Sequence, residues 1–435
     1  MRGIDQRYGL SGQKPSSLGI FANTVNTPES VRIFANTVNT PESVPKQKKQ
    51  TARDDAITAT KQARFQLQRA AQGLLPGQRV AHCHRSTMSS AGVSVFRSEQ
   101  GASYGNLSTC GSVWHCPVCS AKITEVRRIE LQNAINAWAK QGGEVYLMSL
   151  TFPHLDHQLL EKNLGLFSEA LKKFKNSRTY KNTMQAVVGA GSIRALEVTH
   201  GANGWHPHTH DLVFAGKGQR QNLRDLEECW IETLIKTGLA ERSQYNDMKR
   251  AAFDVQNGDY AAEYVAKFGH EATNASKIIT DNTWGASHEM TKAHAKVGKR
   301  LGGRTPFTLL ADFIQGDQAS GELFQEFGNH FKGKRQLFWS PKLRKALRLL
   351  DDEKSDQDIA AEELPEREFV TLLNHDDWKL VLSRNARFEV LRVAQDEGAE
   401  GVARLLDELA GRRATHQGIY YEQGWSDHKW HKLDA

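Results

Sequence analysis

The sequence predicts an α+β fold in which a mostly antiparallel central sheet is flanked by helices. Two observations predict it. Segments rich in β-forming residues alternate with segments of helical periodicity in the order strand, helix, strand, strand, helix, strand, helix. The second and third of these strand segments are joined by a short Gly/Asn loop, which is typical of neighbouring antiparallel strands.

Each element is predicted from its own pattern. The segment 144–152 (EVYLMSLTF) is apolar and β-forming, and we expect further strands at 192–199, 208–214 and 252–256. Apolar residues at helical spacing predict helices over 121–139, 158–175, 220–237 and 259–268. Gly142 and Gly238 follow two of these helices and are expected to end them.

Composition narrows the class of protein. The 435 residues include 57 Lys and Arg against 50 Asp and Glu, for a net charge of +7. No apolar run reaches the roughly 18 residues that a membrane span needs, and the N-terminus lacks the apolar stretch of a secretory signal. We therefore expect a cytoplasmic protein with no membrane partner, and the basic balance permits nucleic acid as a partner.

The segment Trp205–His210 (WHPHTH) indicates a metal site. Side chains alternate along a strand, so His208 and His210 point the same way, and two adjacent imidazoles form half of a divalent metal site. Pro207 cannot donate to a strand ladder, so it fits the first residue of a strand or an edge and not the middle, which predicts that His206 lies outside the strand. Glu197 is expected as the third ligand, because the loop at 200–206 can fold one strand back on the other.

The segment 260–267 (YAAEYVAK) indicates a nucleophile. In a helix, Tyr260 and Tyr264 lie one turn apart on one face, with Lys267 beside Tyr264. A tyrosine near a bound cation can attack a phosphate, and a nearby ammonium can lower the phenol pKa or hold a phosphate oxygen. Aromatic residues at this spacing usually pack in a core, so the interpretation depends on the histidine strand.

Four of the five cysteines indicate a structural zinc site. Cys116 and Cys119 form a Cys-Pro-x-Cys knuckle, and Cys83 and Cys110 would complete a closed tetrahedral set. Alternative ligands are His82, His84 and His115.

Charge and repeats suggest how the chain divides. The unit IFANTVNTPESV occurs twice, at 20–31 and 33–44. Residues 332–348 hold seven bases and no acid, whereas 351–368 hold nine acids and two bases. We expect a disordered tail at 1–75, a zinc-binding segment at 76–120, the core at 121–275, a basic extension packing on the core at 276–350, an acidic linker at 351–368 and a small helical region at 369–435.

Basic residues in the extension are candidate DNA contacts. Their side chains would meet backbone phosphates, and they are Lys292, Lys296, Lys299, Arg300, Arg304, Lys334 and Arg335. Runs of basic residues more often form solvent-exposed surfaces than DNA contacts.

Together these motifs resemble the HUH endonucleases, specifically the plasmid rolling-circle replication initiators of the Rep_1 type. The segments that carry the resemblance are 147–152 (LMSLTF), 197–199 with 204–210 (EVT and GWHPHTH), 262–267 (AEYVAK) and 333–340 (GKRQLFWS). Their order matches the family, and the resemblance as a whole covers roughly 80–345.

The resemblance implies a fold, a reaction and partners. It implies an HUH nuclease core that nicks and joins plasmid origin DNA, single-stranded or hairpin, at a specific site and strand. Tyr264 would form a 5′-phosphotyrosine, with Mg²⁺ or Mn²⁺ held by His208, His210 and Glu197. Host helicase and replication machinery are the further partners it implies.

One position departs from the pattern. Some relatives carry a glutamate four residues before the nucleophile, where this chain has Tyr260, so a paired-tyrosine scheme is open and termination is not assigned. Two alternatives stay open: an HUH transposase or relaxase-like strand transferase, and a non-catalytic zinc-containing DNA-binding regulator. The absence of a helicase P-loop argues against a large relaxase.

Overall fold

The computed structural model describes residues 46–99, 101–258, 303–349, 353–363 and 366–411, and within them the predicted α+β architecture is confirmed. Five antiparallel strands form the central sheet in the order β6-β3-β5-β4-β7. These strands are β3 (Glu144–Leu150), β4 (Val188–Gly201), β5 (Gly204–Ala215), β6 (Phe253–Asn257) and β7 (Leu337–Trp339).

A second antiparallel sheet has three strands in the order β2-β1-β8. Its strands are β1 (Val93–Arg97), β2 (Ser103–Gly105) and β8 (Glu368–Leu373). The C-terminal region is therefore not purely helical, because β8 completes a sheet whose other strands lie more than 260 residues earlier.

The helices in the described residues lie around both sheets. They are α1 (Lys46–Leu74), α2 (Pro117–Lys140), α3 (Leu160–Asn176), α4 (Arg178–Val187), α5 (Arg220–Arg224), α6 (Glu227–Thr237), α7 (Tyr245–Ala251), α8 (Pro306–Ile314), α9 (Gln318–His330), α10 (Leu343–Ala346), α11 (Asp356–Ala361), α12 (His375–Ser383) and α13 (Arg387–Gly411). None of them is long and apolar enough to cross a membrane.

Helix ends follow their capping residues. The α2 helix begins after Cys116, whose sulfur accepts a hydrogen bond from the Cys119 amide, and Pro117 occupies the first helical position. The α6 helix ends at Gly238, whose φ of 75° lies in the left-handed region that glycine tolerates. Both glycine stops predicted from the sequence are confirmed, since α2 also ends just before Gly142.

The central sheet separates two apolar layers. Met148 and Val213 face α3 and α6, where Phe174 and Trp230 are buried. Leu147 and Leu212 face the opposite way, toward the C-terminal half of α2 and toward Leu343. Because residues two apart share a face, His208 and His210 lie on the α2 side of the sheet.

Two predicted boundaries are wrong. The tail does not extend to 75, because α1 spans Lys46–Leu74 and buries Leu67 and Ala71 against the core. The segment 351–368 is not only a linker, because α11 buries Ile359 and its Asp356 pairs with Arg127 of α2 at 2.9 Å. The tandem repeat at 20–44 lies outside the described residues.

Candidate active site and metal centre

The β4–β5 hairpin brings Glu197 and the two histidines together. Glu197 pairs with His208 across the hairpin, and Ala195 pairs with His210. Residues two apart on each strand share a face, so all three side chains converge. The hairpin that the sequence predicted is thus present with the expected register.

The three ligand atoms are close. His208 Nε2 lies 3.3 Å from Glu197 Oε2, and His210 Nε2 lies 3.7 Å from the same oxygen. The candidate ligand atoms all lie within 4.8 Å of one another. The side chains are 15%, 5% and 15% exposed for His208, His210 and Glu197, so the cluster is shielded yet reachable from outside.

The other ring nitrogen of each histidine has its own contact. Ser149 Oγ on β3 lies 2.8 Å from His210 Nδ1. His208 Nδ1 lies 3.1 Å from the backbone carbonyl of His206, which can only accept. Such contacts orient an imidazole and fix which nitrogen carries the hydrogen. Both Nε2 atoms are thereby directed at Glu197.

This arrangement fits a cation. If His208 donates Nδ1–H to the carbonyl, its neutral form presents an Nε2 lone pair to a carboxylate oxygen 3.3 Å away. Two facing lone pairs require a proton or a metal ion between them. Burial opposes protonation of His208, but the hydrogen bond and charge of Glu197 outweigh it and raise the pKa of His208. Two imidazoles and one carboxylate also match a three-ligand metal site with open positions.

The prediction that His206 lies outside the strand is wrong, and Pro207 takes the edge position of the two that its chemistry allows. β5 starts at Gly204 and pairs Pro207 with Val198 of β4. β3 pairs only with residues from Thr209 onward, so Pro207 has a strand neighbour on one side alone, where its missing amide proton costs nothing. The His206 ring stacks on His154 with centroids 4.5 Å apart and contacts Thr151 Oγ1 through Nε2. Burial holds the pKa of His206 well below its usual value.

The expected nucleophile segment lies outside the described residues. This applies to Tyr260, Tyr264 and Lys267 alike. The described chain reaches Gly258, whose amide donates to the Val145 carbonyl at the end of β6. The roles of Tyr260, Tyr264 and Lys267 therefore stay predictions.

The candidate DNA contacts are in three situations. Lys292, Lys296, Lys299 and Arg300 lie outside the described residues. Arg304 is held internally, since its guanidinium donates to Ser320 Oγ at 2.7 Å and lies near Asp312 and Asp317. Lys334 and Arg335 are exposed just before β7, where basic side chains can meet a phosphate backbone.

The four predicted cysteines form one buried cluster. Cys83 Sγ lies 3.7 Å from Cys116 Sγ and 3.5 Å from Cys119 Sγ, and Cys110 Sγ lies 3.7 Å from Cys119 Sγ. A tetrahedron with metal–sulfur bonds of 2.3 Å has edges of about 3.8 Å. The spacing of the thiols therefore fits a Cys₄ zinc centre, and the imidazoles of His82, His84 and His115 do not join the four sulfurs within 4.8 Å.

Backbone and side-chain donors surround these sulfurs. Cys110 N–H donates to Cys83 Sγ at 3.3 Å, and Cys119 N–H donates to Cys116 Sγ at 3.4 Å at the start of α2. Burial raises the pKa of Cys116, but hydrogen bonds from the other three thiols outweigh it and hold this pKa well below its usual value. The surroundings thus favour the thiolate, the form that binds metal, at Cys116.

Reasoning from the sequence missed residues that support both sites. Ser149 sits within a strand motif that was noted only for its apolar character. Gln68 of α1 donates to Cys116 Sγ at 3.2 Å, from a segment that was expected to be a tail. Strand parity could have suggested Ser149 as a neighbour of His210, whereas nothing local could have suggested Gln68.

Comparison with known proteins agrees with the motifs. Residues 105–232 match the profile of the Rep_1 family, described as "Replication protein", a range that includes Cys110, Cys116, Cys119 and the β4–β5 hairpin but ends before Tyr264. No solved structure matches the chain.

Two curated relatives come from Streptomyces. "Protein rep" of Streptomyces lividans is 26% identical over 369 residues, which are 72% of this chain and 80% of the relative. "Neomycin resistance protein" of Streptomyces cyanogenus is 31% identical over 163 residues, 31% of this chain and 37% of the relative. The chain is thus similar to the Rep_1 replication proteins over residues 105–232, and to a Streptomyces replication protein over most of its length.

Proposed function

We propose that the protein initiates plasmid replication by nicking one strand of the origin through Tyr264, with Glu197, His208 and His210 holding a divalent cation. The observation that carries the proposal is the convergence of two histidine Nε2 atoms on one carboxylate oxygen, at 3.3 and 3.7 Å. The family match supports a role in replication.

The metal centre would polarise and orient the scissile phosphate. A bound Mg²⁺ or Mn²⁺ would polarise a non-bridging oxygen of the scissile phosphate and orient it. Glu197, His208 and His210 supply three ligands and leave the remaining positions to water and phosphate. Ser149 holds the His210 ring in place, and the His206 carbonyl holds the His208 ring, while bonds at phosphorus form and break.

The bond changes follow from tyrosine chemistry. The Tyr264 phenol oxygen forms a bond to phosphorus as its proton leaves, and the bond from phosphorus to the 3′ oxygen breaks. The released 3′ oxygen takes up a proton and becomes the primer hydroxyl, and the 5′ phosphate stays linked to tyrosine. Lys267 would lower the phenol pKa or hold a phosphate oxygen, and Tyr260 would be a second nucleophile for termination.

Chain length allows Tyr264 to meet the metal ligands. Asn257 pairs with Tyr146, three residues along β3 from Ser149. Two strand spacings of about 4.8 Å and three steps of about 3.3 Å separate Asn257 from the level of His210, or roughly 14 Å. The seven residues that lead to Tyr264 can span up to about 23 Å if extended and about 10 Å if helical, before the length of the tyrosine side chain is added.

We propose that the Cys₄ cluster holds zinc in a structural role. Four thiol ligands close the coordination shell, so no position remains for substrate. The cluster ties Cys83 and Cys110, which lie before β1 and after β2, to the start of α2, which packs against the central sheet. Lys334 and Arg335 are proposed to contact DNA phosphates beside β7.

The test is a nicking assay with single-stranded oligonucleotides that span the cognate plasmid origin. With Mn²⁺, the wild type should cleave one strand and form a covalent adduct, and Tyr264→Phe should bind the DNA without forming one. Tyr260→Phe is the matched control for the first cleavage, and a defect in joining alone would place Tyr260 in termination.

Other outcomes would redirect the assignment. A DNA-binding regulator would bind duplex DNA and cleave no oligonucleotide with Mn²⁺ present. A transposase or relaxase-like strand transferase would cleave and join transposon-end or transfer-origin sequences and leave the replication origin intact.

A further inference from the structure

A guanidinium is buried at the junction between the cysteine cluster and the C-terminal helices. Arg387, the first residue of α13, is only 3% exposed. Its Nη1 donates to Gln68 Oε1 at 2.9 Å and to the His84 carbonyl at 3.1 Å, and its guanidinium lies 5.2 Å from the centroid of the Phe65 ring.

This cation has no carboxylate partner among the ion pairs of the described residues. Burying a charge without a counter-ion costs several kcal/mol or more. Arg69 and Arg85 add positive charge nearby, and burial lowers the pKa of Arg387 to about 10. Tyr104 and then Cys83 act against that shift, and Cys83 belongs to the cysteine cluster.

Gln68 links the guanidinium to the sulfurs. Its Oε1 accepts from Arg387, while its Nε2 donates to Cys116 Sγ at 3.2 Å. His84, whose carbonyl also accepts from Arg387, follows Cys83 directly. Arg387 is therefore linked to Cys116 through the Gln68 side chain, and to Cys83 through the backbone of His84.

We infer that Arg387 is the counter-ion of the loaded cysteine centre, so that metal binding and docking of α12 and α13 are coupled. The inference rests on the proposed zinc centre. Four thiolates around one Zn²⁺ leave a net charge of about −2, which a buried guanidinium would offset.

The same junction holds the C-terminal helices. Tyr104 O–H donates to the Arg387 carbonyl at 2.6 Å, and Trp378 of α12 donates through Nε1 to the Arg85 carbonyl at 2.7 Å. The segment from Cys83 to Arg85 therefore supplies a metal ligand through the Cys83 sulfur and two docking contacts through the His84 and Arg85 carbonyls. Release of the metal would loosen that backbone and leave the buried cation uncompensated.

Zinc release from the purified full-length protein to a chromophoric chelator tests the inference. Arg387→Met removes the charge and keeps most of the apolar volume, and release should accelerate roughly 10-fold or more. Arg387→Lys should restore slower release. Arg404→Met is the matched control on the same helix, because Arg404 is 62% exposed, and it should match the wild type.

A second measurement uses the wild type alone. Chelation should raise hydrogen exchange in α12 and α13 and leave α6 protected. Unchanged exchange in α12 and α13, or equal release from Arg387→Met and wild type, would overturn the inference. Absence of zinc from the wild type would instead refute the proposed zinc centre.

Discussion

Ser149 Oγ lies 2.8 Å from His210 Nδ1, across the pair of residues that joins β3 to β5. The contact connects β3 to a candidate metal ligand on β5, the central strand of the sheet. It leaves Nε2 of the same ring facing Glu197 at 3.7 Å. The orientation of His210 thus depends on a side chain that is not itself a ligand.

Replacing Ser149 should weaken metal binding without unfolding the sheet. Ser149→Ala removes the Nδ1 contact, and we expect affinity for Mn²⁺ to fall roughly 10-fold or more. Isothermal titration of the purified protein measures this, with Ser103→Ala on β2 as the control. Equal affinity in Ser149→Ala and wild type would show that the contact does not position His210.

Metal affinity should depend on pH through His208. Folding raises the pKa of His208 above its value of about 6.5 in the unfolded chain. In the metal-free protein, protonated His208 therefore contributes its full stabilisation below about pH 6.5. That stabilisation is lost as the pH rises through the pKa of His208 in the folded protein. Mn²⁺ competes with this proton, so its affinity should rise across that interval. Titration at several pH values checks this, and a response that His208→Gln leaves unchanged would contradict it.

Removing zinc should destabilise the N-terminal half of the protein. The double variant Cys116→Ser with Cys119→Ser loses two ligands, and about one equivalent of zinc should disappear with them. Metal analysis and thermal unfolding measure both effects. Cys229→Ser is the control, because Cys229 lies outside the cluster beside Ser177, and a zinc-free wild type would refute the assignment.

The buried pair Lys175 and Asp211 should matter for stability more than for chemistry. Asp211 is fully buried next to His210, on the opposite face of β5, and its Oδ2 accepts from Lys175 Nζ at 2.5 Å. Lys175→Met leaves a buried carboxylate without its partner, at a cost of about 3 kcal/mol or more. Urea unfolding measures this against Lys172→Met on the exposed side of α3, and equal stability of the two variants would contradict it.

Local rules predicted the site better than the whole fold. Strand parity and the short loop placed Glu197, His208 and His210 together, and the register confirms that Glu197 is opposite His208. The exception was His206, because the sequence does not reveal that β5 continues before Pro207, beyond the point where β3 stops pairing with it.

Contacts between segments far apart in the sequence could not be predicted from local patterns. β1 pairs with β8, which lies more than 260 residues later in the sequence, and neither strand has a local feature that predicts the pairing. The same holds for Gln68 and Arg387, which meet at the cysteine cluster from opposite ends of the described chain. Polar residues at such junctions look like ordinary surface residues until the packing is known.

The most direct test of the proposed reaction identifies the residue that becomes linked to DNA. Wild-type protein is incubated with origin oligonucleotide and Mn²⁺, the adduct is digested, and the modified peptide is sequenced by mass spectrometry. We expect the 5′ phosphate on Tyr264, and no adduct in His208→Ala or without metal. An adduct on another residue, or one that forms equally well in His208→Ala, would contradict the proposal.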